Sequence, residues 1–319
     1  MPKAKPTIII GSLHLDYVTR VEHLPLPGET LAAEHFDLFR GGKGANQALA
    51  VARQGGKALL FGAVGADREG VAYRTELEAA GIDLTHLQTA EAPTGCAFIT
   101  VDGAGENTIV IASGANLTLS ETHITRHRKV IEAAGVLLGQ LEVPPEALVA
   151  AALIANKAGL PVVINPSPVH PAFPWEQFQT DYAIVNESEA HEMLGFPATP
   201  PEAPLVRDMM HQLRIAHLIV TRGAEDTLVF RREGAPLAIP TLPVLPVDTV
   251  GAGDAFAGCF AARLAEGATL TAALCAANCA GALATLGVGA QDSIPDREQV
   301  DAHLLYYHQV FPSAEISEK

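Results

Sequence analysis

Five short stretches of this chain are apolar at nearly every position: TIIIGSL (7–13), VLLGQL (136–141), PVVIN (161–165), YAIVN (182–186) and AHLIVT (216–221). A strand with one wet face alternates apolar and polar residues, whereas a strand apolar throughout must be covered on both faces. Ala58 to Val64 reads as a further strand of this kind. Helix-like segments lie between them. Ala45 to Arg53 stops at Gly55-Gly56, Gly70 to Ala80 stops at Gly81, and PPEALVAAALIANKAG spans 144–159. Strand and helix in alternation predict an α/β fold with a doubly wound, mainly parallel sheet and helices on both faces.

Two segments break that rhythm. TGCAFITVD and NTIVIAS flank the Gly-containing turn GAGE within 94–113, the pattern of a hairpin. Residues 16–40 are also strand-like, punctuated at Pro25, Pro27 and Gly28. Together they predict a small antiparallel sheet, a β lid built from about 14–42 and 94–118. The Pro-rich stretch 196–204 reads as a loop. No long linker, repeat or low-complexity tract divides the chain, so residues 1–319 are expected to form one domain.

Composition excludes some partners. With 21 Lys and Arg against 36 Asp and Glu, the net charge of −15 argues against nucleic acid or an anionic membrane. It leaves room for an anionic small molecule at a locally positive site. Cys96, Cys259, Cys275 and Cys279 include no C-x-x-C pair and read as small buried hydrophobes. The start MPKAKPTIIIGSL has no apolar run long enough for a signal or anchor, and a reducing, cytoplasmic setting is expected. His123 and His127, one helical turn apart on a polar face, are not read as a metal site.

Four stretches carry candidate chemistry. In DTVGAGDAFAG (248–258), Gly251, Ala252 and Gly253 open a helix whose unpaired N–H groups attract anions. Asp254 either caps that helix or serves as a base beside the anion hole. Phosphoryl transfer needs both parts, donors for developing charge and an acceptor for the hydroxyl proton. GGKGANQ (41–47) places Lys43 and Asn46 where glycines let a ligand approach, or is simply a tight strand-to-helix turn. It is neither a Walker A loop nor G-x-G-x-x-G, which argues against a nicotinamide oxidoreductase. NESEAHEML (186–194) puts Asn186 and Glu189 at a helix start, as a cap or near a phosphate–magnesium unit. LHLD (13–16) follows the first strand, where open α/β sheets bind ligands; Asp16 there is a bidentate acceptor for sugar hydroxyls or a solvated loop residue.

In this order, GGKGANQA and DTVGAGDAFAG resemble the two signature motifs of the ribokinase family of sugar and nucleoside kinases. The resemblance runs from GS (11–12) to GAQDSIP (289–295). It implies an ATP-dependent sugar kinase, with D-ribose phosphorylated at O5 as the first expectation. Another sugar, a nucleoside, or a non-catalytic sugar-binding protein on the same fold are the alternatives; the last would need no base. By resemblance Asp254 is the catalytic base and Gly251, Ala252 and Gly253 the anion hole. Sugar contacts fall on His14, Asp16, Gly42, Lys43, Asn46, Ala97, Ile111 and Glu142. Nucleotide and phosphate contacts fall on Asn186, Glu189, Thr221, Arg222, Gly223, Ala224, Glu225, Asp226, Gly253 and Asn278. Asp248, Val250, Ala284, Gly287, Gly289 and Ser293 match the family's monovalent-cation loop. The implied ligands are ATP, Mg²⁺ and K⁺, and the implied partner is a second copy of the chain paired through the lid. Two positions depart from the family's pattern: His14 stands where members usually carry Asn, and Asp226 replaces the last glycine of Thr-x-Gly-x-x-Gly. An imidazole at 14 implies a sugar KM that changes between about pH 6 and 7.5.

Overall fold

The structure is a computed structural model, described for residues 5–33, 35–195 and 203–311. The strands are β1 (Thr7–Ile10), β2 (His14–Arg20), β3 (Phe36–Gly41), β4 (Ala58–Phe61), β5 (Ala63–Gly65), β6 (Gln88–Ala90) and β7 (Gly95–Val101). They continue with β8 (Asn107–Ala112), β9 (Val136–Gln140), β10 (Val162–Asn165), β11 (Thr180–Asn186), β12 (Ile215–Arg222), β13 (Glu225–Arg231) and β14 (Leu237–Ile239). The helices are α1 (Lys43–Arg53), α2 (Arg68–Ala79), α3 (Glu121–Arg126), α4 (Arg128–Glu132) and α5 (Pro145–Lys157). After them come α6 (Glu187–Leu194), α7 (Ala203–Gln212), α8 (Ala252–Ala265), α9 (Leu270–Ala284) and α10 (Arg297–Val310).

The large sheet has the order β14-β13-β12-β11-β10-β9-β1-β4. It is parallel from β12 through β4, and β13 and β14 add an antiparallel edge. Its all-apolar strands are explained by two cores. Ile9, Leu60, Leu138, Val163, Ile184 and Ile219 turn to one face, against α1, α8, α9 and α10. Ile8, Ile10, Phe61, Leu137, Ile164 and Leu218 turn to the other, against α4, α5, α6 and α7. Each fully buried aliphatic side chain contributes about 1.5–3 kcal/mol, so neither face of these strands tolerates polar residues.

The second sheet has the order β3-β2-β7-β8. Two antiparallel pairs, β2–β3 and β7–β8, are joined side by side through a parallel β2–β7 pair. One face of it is apolar and open: Phe36, Phe98 and Val110 share it and are exposed, while Ile109 and Ile111 turn to the opposite face, and β8 is exposed at every residue.

Some element boundaries differ from the sequence reading. Ala58 to Val64 is two strands, not one. At Gly62 the chain passes so close to the end of β1 that a Cβ would meet the Gly11 carbonyl at 2.7 Å. There it leaves the large sheet, and β5 pairs with β6 instead. The 7–13 run stops as strand at Ile10. The helix expected from Gly70 begins at Arg68, because Asp67 caps it by accepting from the Gly70 N–H at 2.7 Å. The loop expected at 196–204 lies outside the described residues up to 202, and Ala203 and Pro204 open α7, where a first-turn proline is tolerated. Among the described residues no helix is long and apolar enough to cross a membrane. The four cysteines are free, three of them buried. His123 and His127 lie beside His86 against the ring of Phe61.

Candidate active site

The parallel strands β1, β9, β10, β11 and β12 deliver Ser12, Glu142, Asn165, Asn186 and Thr221 at their carboxyl ends, the edge where open α/β sheets bind ligands. Helix α8 starts against that edge. Its N-cap is Gly251 at φ 80°, and a Cβ there would meet Ala290 backbone at 2.6 Å, so glycine alone fits. The N–H groups of Gly253 and Asp254 fall in the first turn, which has no helical carbonyl to bond.

Asp254 does not cap α8. Its side chain, with the residue 6% exposed, instead accepts from two amides of α1. Asn46 Nδ2 donates to Oδ2 and Gln47 Nε2 to Oδ1, each at 2.9 Å. The two helices meet so closely at Gly258 that a Cβ would lie 2.4 Å from the Ala50 Cβ. Burial pushes the Asp254 carboxyl above the usual range, Lys43 and the two amides pull it back, and Glu142 adds to the rise. The capping alternative is thereby set aside for Asp254.

On the side of the small sheet, Asp16, Ala97 and Ile111, expected to contact sugar, stand in register across β2, β7 and β8. Burial, Glu142 and Asp254 raise Asp16 to about 6. Glu142 accepts from the Ser12 hydroxyl and from the Lys43 N–H, the latter at 3.1 Å, which fixes the start of α1 beside the β1 end. Gly42 is the N-cap of α1. His14 is buried with Nδ1 3.7 Å from Glu142, and burial holds its pKa below the ordinary imidazole range despite that carboxylate. The imidazole titration expected between about pH 6 and 7.5 is therefore displaced downward by burial. Asn46, expected to face sugar, spends its Nδ2 on Asp254 and its Oδ1 on Gln291 Nε2 at 2.9 Å.

Beyond Asp254 lies a polar cavity of about 190 Å³ lined by Lys43, Asn165, Asn186, Glu189, Thr249 and Gly253. Burial lowers the Lys43 ammonium, but Asp254, Glu142 and Glu189 outweigh it, so its pKa rises and the cation is retained. Asn186 and Glu189 form a capping box: Asn186 Oδ1 accepts from the Glu189 N–H at 2.8 Å and Glu189 Oε2 from the Asn186 N–H at 2.9 Å. The cap and the cavity wall are thus the same two residues. A neighbouring, mostly apolar cavity of about 220 Å³ is lined by Thr221, Gly223, Ala224, Phe256, Asn278 and Thr285. Arg222 and Glu225 are not on its wall; they pair with each other at 2.6 Å, and Arg222 Nε donates to the Asp226 carbonyl. Asn278 is buried, donating to the carbonyls of Ile239 and Pro240 and accepting from Thr227.

The 284–293 loop folds back onto the start of α8. Asp248 Oδ1 accepts from the Val250 N–H and Oδ2 from the Gly289 N–H, each at 3.0 Å. Ser293 Oγ donates to the Gly289 carbonyl, and Ala284 closes α9 behind them. Gly287 packs against Ser293. This neighbourhood offers carboxylate, hydroxyl and carbonyl oxygens, the donor set a hard monovalent cation takes. Among the described residues no cluster of three His, Cys, Asp or Glu is placed to hold a metal ion.

Residues 6–297 match the family described as pfkB family carbohydrate kinase. The chain belongs to that family. Ribokinase of Haemophilus influenzae is 35% identical over 92% of this chain and 97% of its own length. Ribokinase of Bacillus subtilis is 33% identical over 92% and 97%. The solved structure of Arabidopsis thaliana ribokinase complexed with ribose and ATP superposes with a TM-score of 0.88 at 30% identity, covering 95% of this chain and 99% of that one. The ribokinase-like fold read from the two motifs is the fold observed. The cavity and its surroundings also include residues the motifs did not single out. Asn165 and Thr249 line the polar cavity, and Gln291 and Tyr73 meet at 2.5 Å behind Asn46. Asn165 ends β10 as Asn186 ends β11, so the strand-end rule applied to residues 13–16 also points to it.

Proposed function

We propose that this chain transfers the γ-phosphoryl group of ATP to O5 of D-ribose, giving D-ribose 5-phosphate and ADP. The observation that carries this reading is the Asp254 carboxylate, buried between the sugar-side carboxylates and the polar cavity at the start of α8. The sugar hydroxyl loses its proton to Asp254, its oxygen bonds to phosphorus, and the bond to the ADP oxygen breaks. The N–H groups at Gly253 and Asp254 and the Lys43 ammonium face the charge that develops on the transferring group.

Asp16, Glu142 and the Gly42-Lys43 turn hold the sugar, with Ala97 and Ile111 as the floor of the small sheet, which closes over the cleft as a lid. The nucleotide base takes the apolar cavity walled by Thr221, Gly223, Ala224 and Asn278. Asn186 and Glu189 fit a magnesium ion through its waters, because both side chains are already bonded in the cap. A magnesium ion held there would neutralise phosphate charge. The Asp248, Val250 and 284–293 neighbourhood fits potassium, whose binding would tighten the loop that carries Ala290 against Gly251. The chain is read as one cytoplasmic domain that pairs with a second copy through the lid.

The test is ADP release from Mg·ATP with a panel of pentoses, hexoses and nucleosides, in potassium, sodium and a large organic cation at matched ionic strength. Ribose is expected to give the highest kcat/KM, potassium the highest rate, and ³¹P NMR a 5-phosphate. Release with a nucleoside alone, or none with any acceptor, would overturn the reading.

A further inference from the structure

Neither side-chain donor to Asp254 stands on a cavity wall, and one of them, Gln47, is itself held by two further side-chain amides. Gln47 is fully buried on α1, yet its Nε2 reaches Asp254 Oδ1 at 2.9 Å. The direction in which this amide points is forced by its neighbours. The Ile184 carbonyl, inside β11, can only accept, so the Asn165 Nδ2 at 2.9 Å must donate to it. That turns Asn165 Oδ1 toward Gln47, whose Nε2 donates to it at 3.0 Å. Gln140 Nε2 donates to Gln47 Oε1 at 2.5 Å from the other side. Each amide in the chain has one workable orientation, and together they leave the second Gln47 N–H aimed at the base.

A buried glutamine satisfied by three partners on three elements has almost no rotamer freedom. We propose that Gln47 is the positioning residue of the proposed kinase reaction: held by Gln140 and by Asn165, which is itself fixed on the Ile184 carbonyl, Gln47 orients the Asp254 carboxylate from outside both cavities. The proposal rests on the kinase reading above. The charged groups that face Asp254 are Lys43 from α1, Glu142 after β9 and Asp16 from β2, and none of them bonds to Gln47. Losing the Gln47 donor leaves them in place while withdrawing one hydrogen bond from the ionised carboxylate, so the carboxyl becomes harder to ionise.

Gln47→Met keeps length and volume while removing the donor. It is expected to lower kcat about tenfold to a hundredfold, the range typical of partners that orient a reacting group, with KM for ribose unchanged. The acid limb of the kcat–pH profile should move up by about one unit, the effect of one lost bond to a charged group. In an Asp254→Asn background the same substitution should cost nothing further, since there is no base left to position. Parental kcat with an unmoved pH limb, or an equal fold-loss in the Asp254→Asn background, would overturn the proposal. So would a loss shared equally by kcat and KM with a fallen melting temperature. If Gln47→Met does not fold, Gln140→Met decides: it frees the Gln47 carbonyl without touching Asp254, and should move the pH limb in the same direction by less. The carboxyl ¹³C signal of Asp254, identified by its loss in Asp254→Asn, reports the same titration in sugar-free protein. A chain inactive on every sugar would sink the kinase reading, while that signal, shifted or unshifted by Gln47→Met, would still decide the role of Gln47.

Discussion

Asp254→Asn removes the proton acceptor and leaves one of the two α1 amides facing an N–H in place of an oxygen. The fold and sugar binding should survive, and kcat should fall by about 10²–10⁴-fold, the usual contribution of a general base. Single-turnover ADP formation checks this, and a variant within a few-fold of the parent would exclude Asp254 as base. A second expectation follows from Asp16, whose carboxyl is raised to about 6 by burial and two neighbouring carboxylates. It accepts sugar hydroxyls best when ionised, so KM for ribose should be low above pH 6 and rise as pH falls through about 6. Asp16→Asn should flatten that profile. His14→Asn should leave it in place, because burial lowers the imidazole pKa, whereas Asp16 is the group raised into this range. A profile flattened by His14→Asn and not by Asp16→Asn would reverse the assignment. The glycines of the two motifs were readable from the sequence, because close backbone approach demands glycine, as at Gly42, Gly44 and Gly251. The amides that hold Asp254 were not, since Asn46 and Gln47 lie 208 and 207 residues away and no local pattern announces such a pairing.

At the scale of elements, the contact between α1 and α8 is set by Gly258. Gly258→Ala would press a methyl onto Ala50 and the Gln47 carbonyl, at 2.4 and 2.6 Å before relaxation. Overpacking of this kind costs about 1–3 kcal/mol. Because the helices it parts carry Asp254 and its two amides, kcat should fall along with the melting temperature. Calorimetry and turnover on one preparation check both, and an unchanged melting temperature would show that the helices yield without cost. The six parallel strands of the large sheet were plain in the sequence, since burial on both faces leaves an unbroken apolar signature; the antiparallel edge strands β13 and β14, which lack it, were not. The break at Gly62 was not, because it comes from the approach of Gly11, far away in sequence. Nor does the apolar pattern of 16–40 and 94–113 tell that β2 and β7 run parallel, which depends on how the two hairpins meet.

Across the whole molecule, the open face of the small sheet is an exposed apolar surface on a strand edge. Phe98 and Val110, 53% and 65% exposed, sit opposite each other across β7 and β8. An apolar sheet face with a bare edge strand invites a partner. If that partner is a second copy, Val110→Lys should give a monomer by analytical ultracentrifugation while the parent sediments as a dimer. A parent that sediments as a monomer at micromolar concentration would refute the pairing. The wide separation of Asp254 from α1 also bears on how the chain acquires activity. The base and the amides that orient it come from opposite thirds of the polypeptide, so no early fragment of a growing chain holds a working centre. The single tryptophan, Trp175, packs instead on the nearby rings of Phe173, 5.0 Å between centroids. Contacts near in sequence close sooner than distant ones. On dilution from urea, tryptophan fluorescence should therefore recover ahead of phosphoryl transfer, and coincident traces would refute this order. Catalysis in this chain is the last property to arrive, and its return certifies that both ends of the polypeptide have found each other.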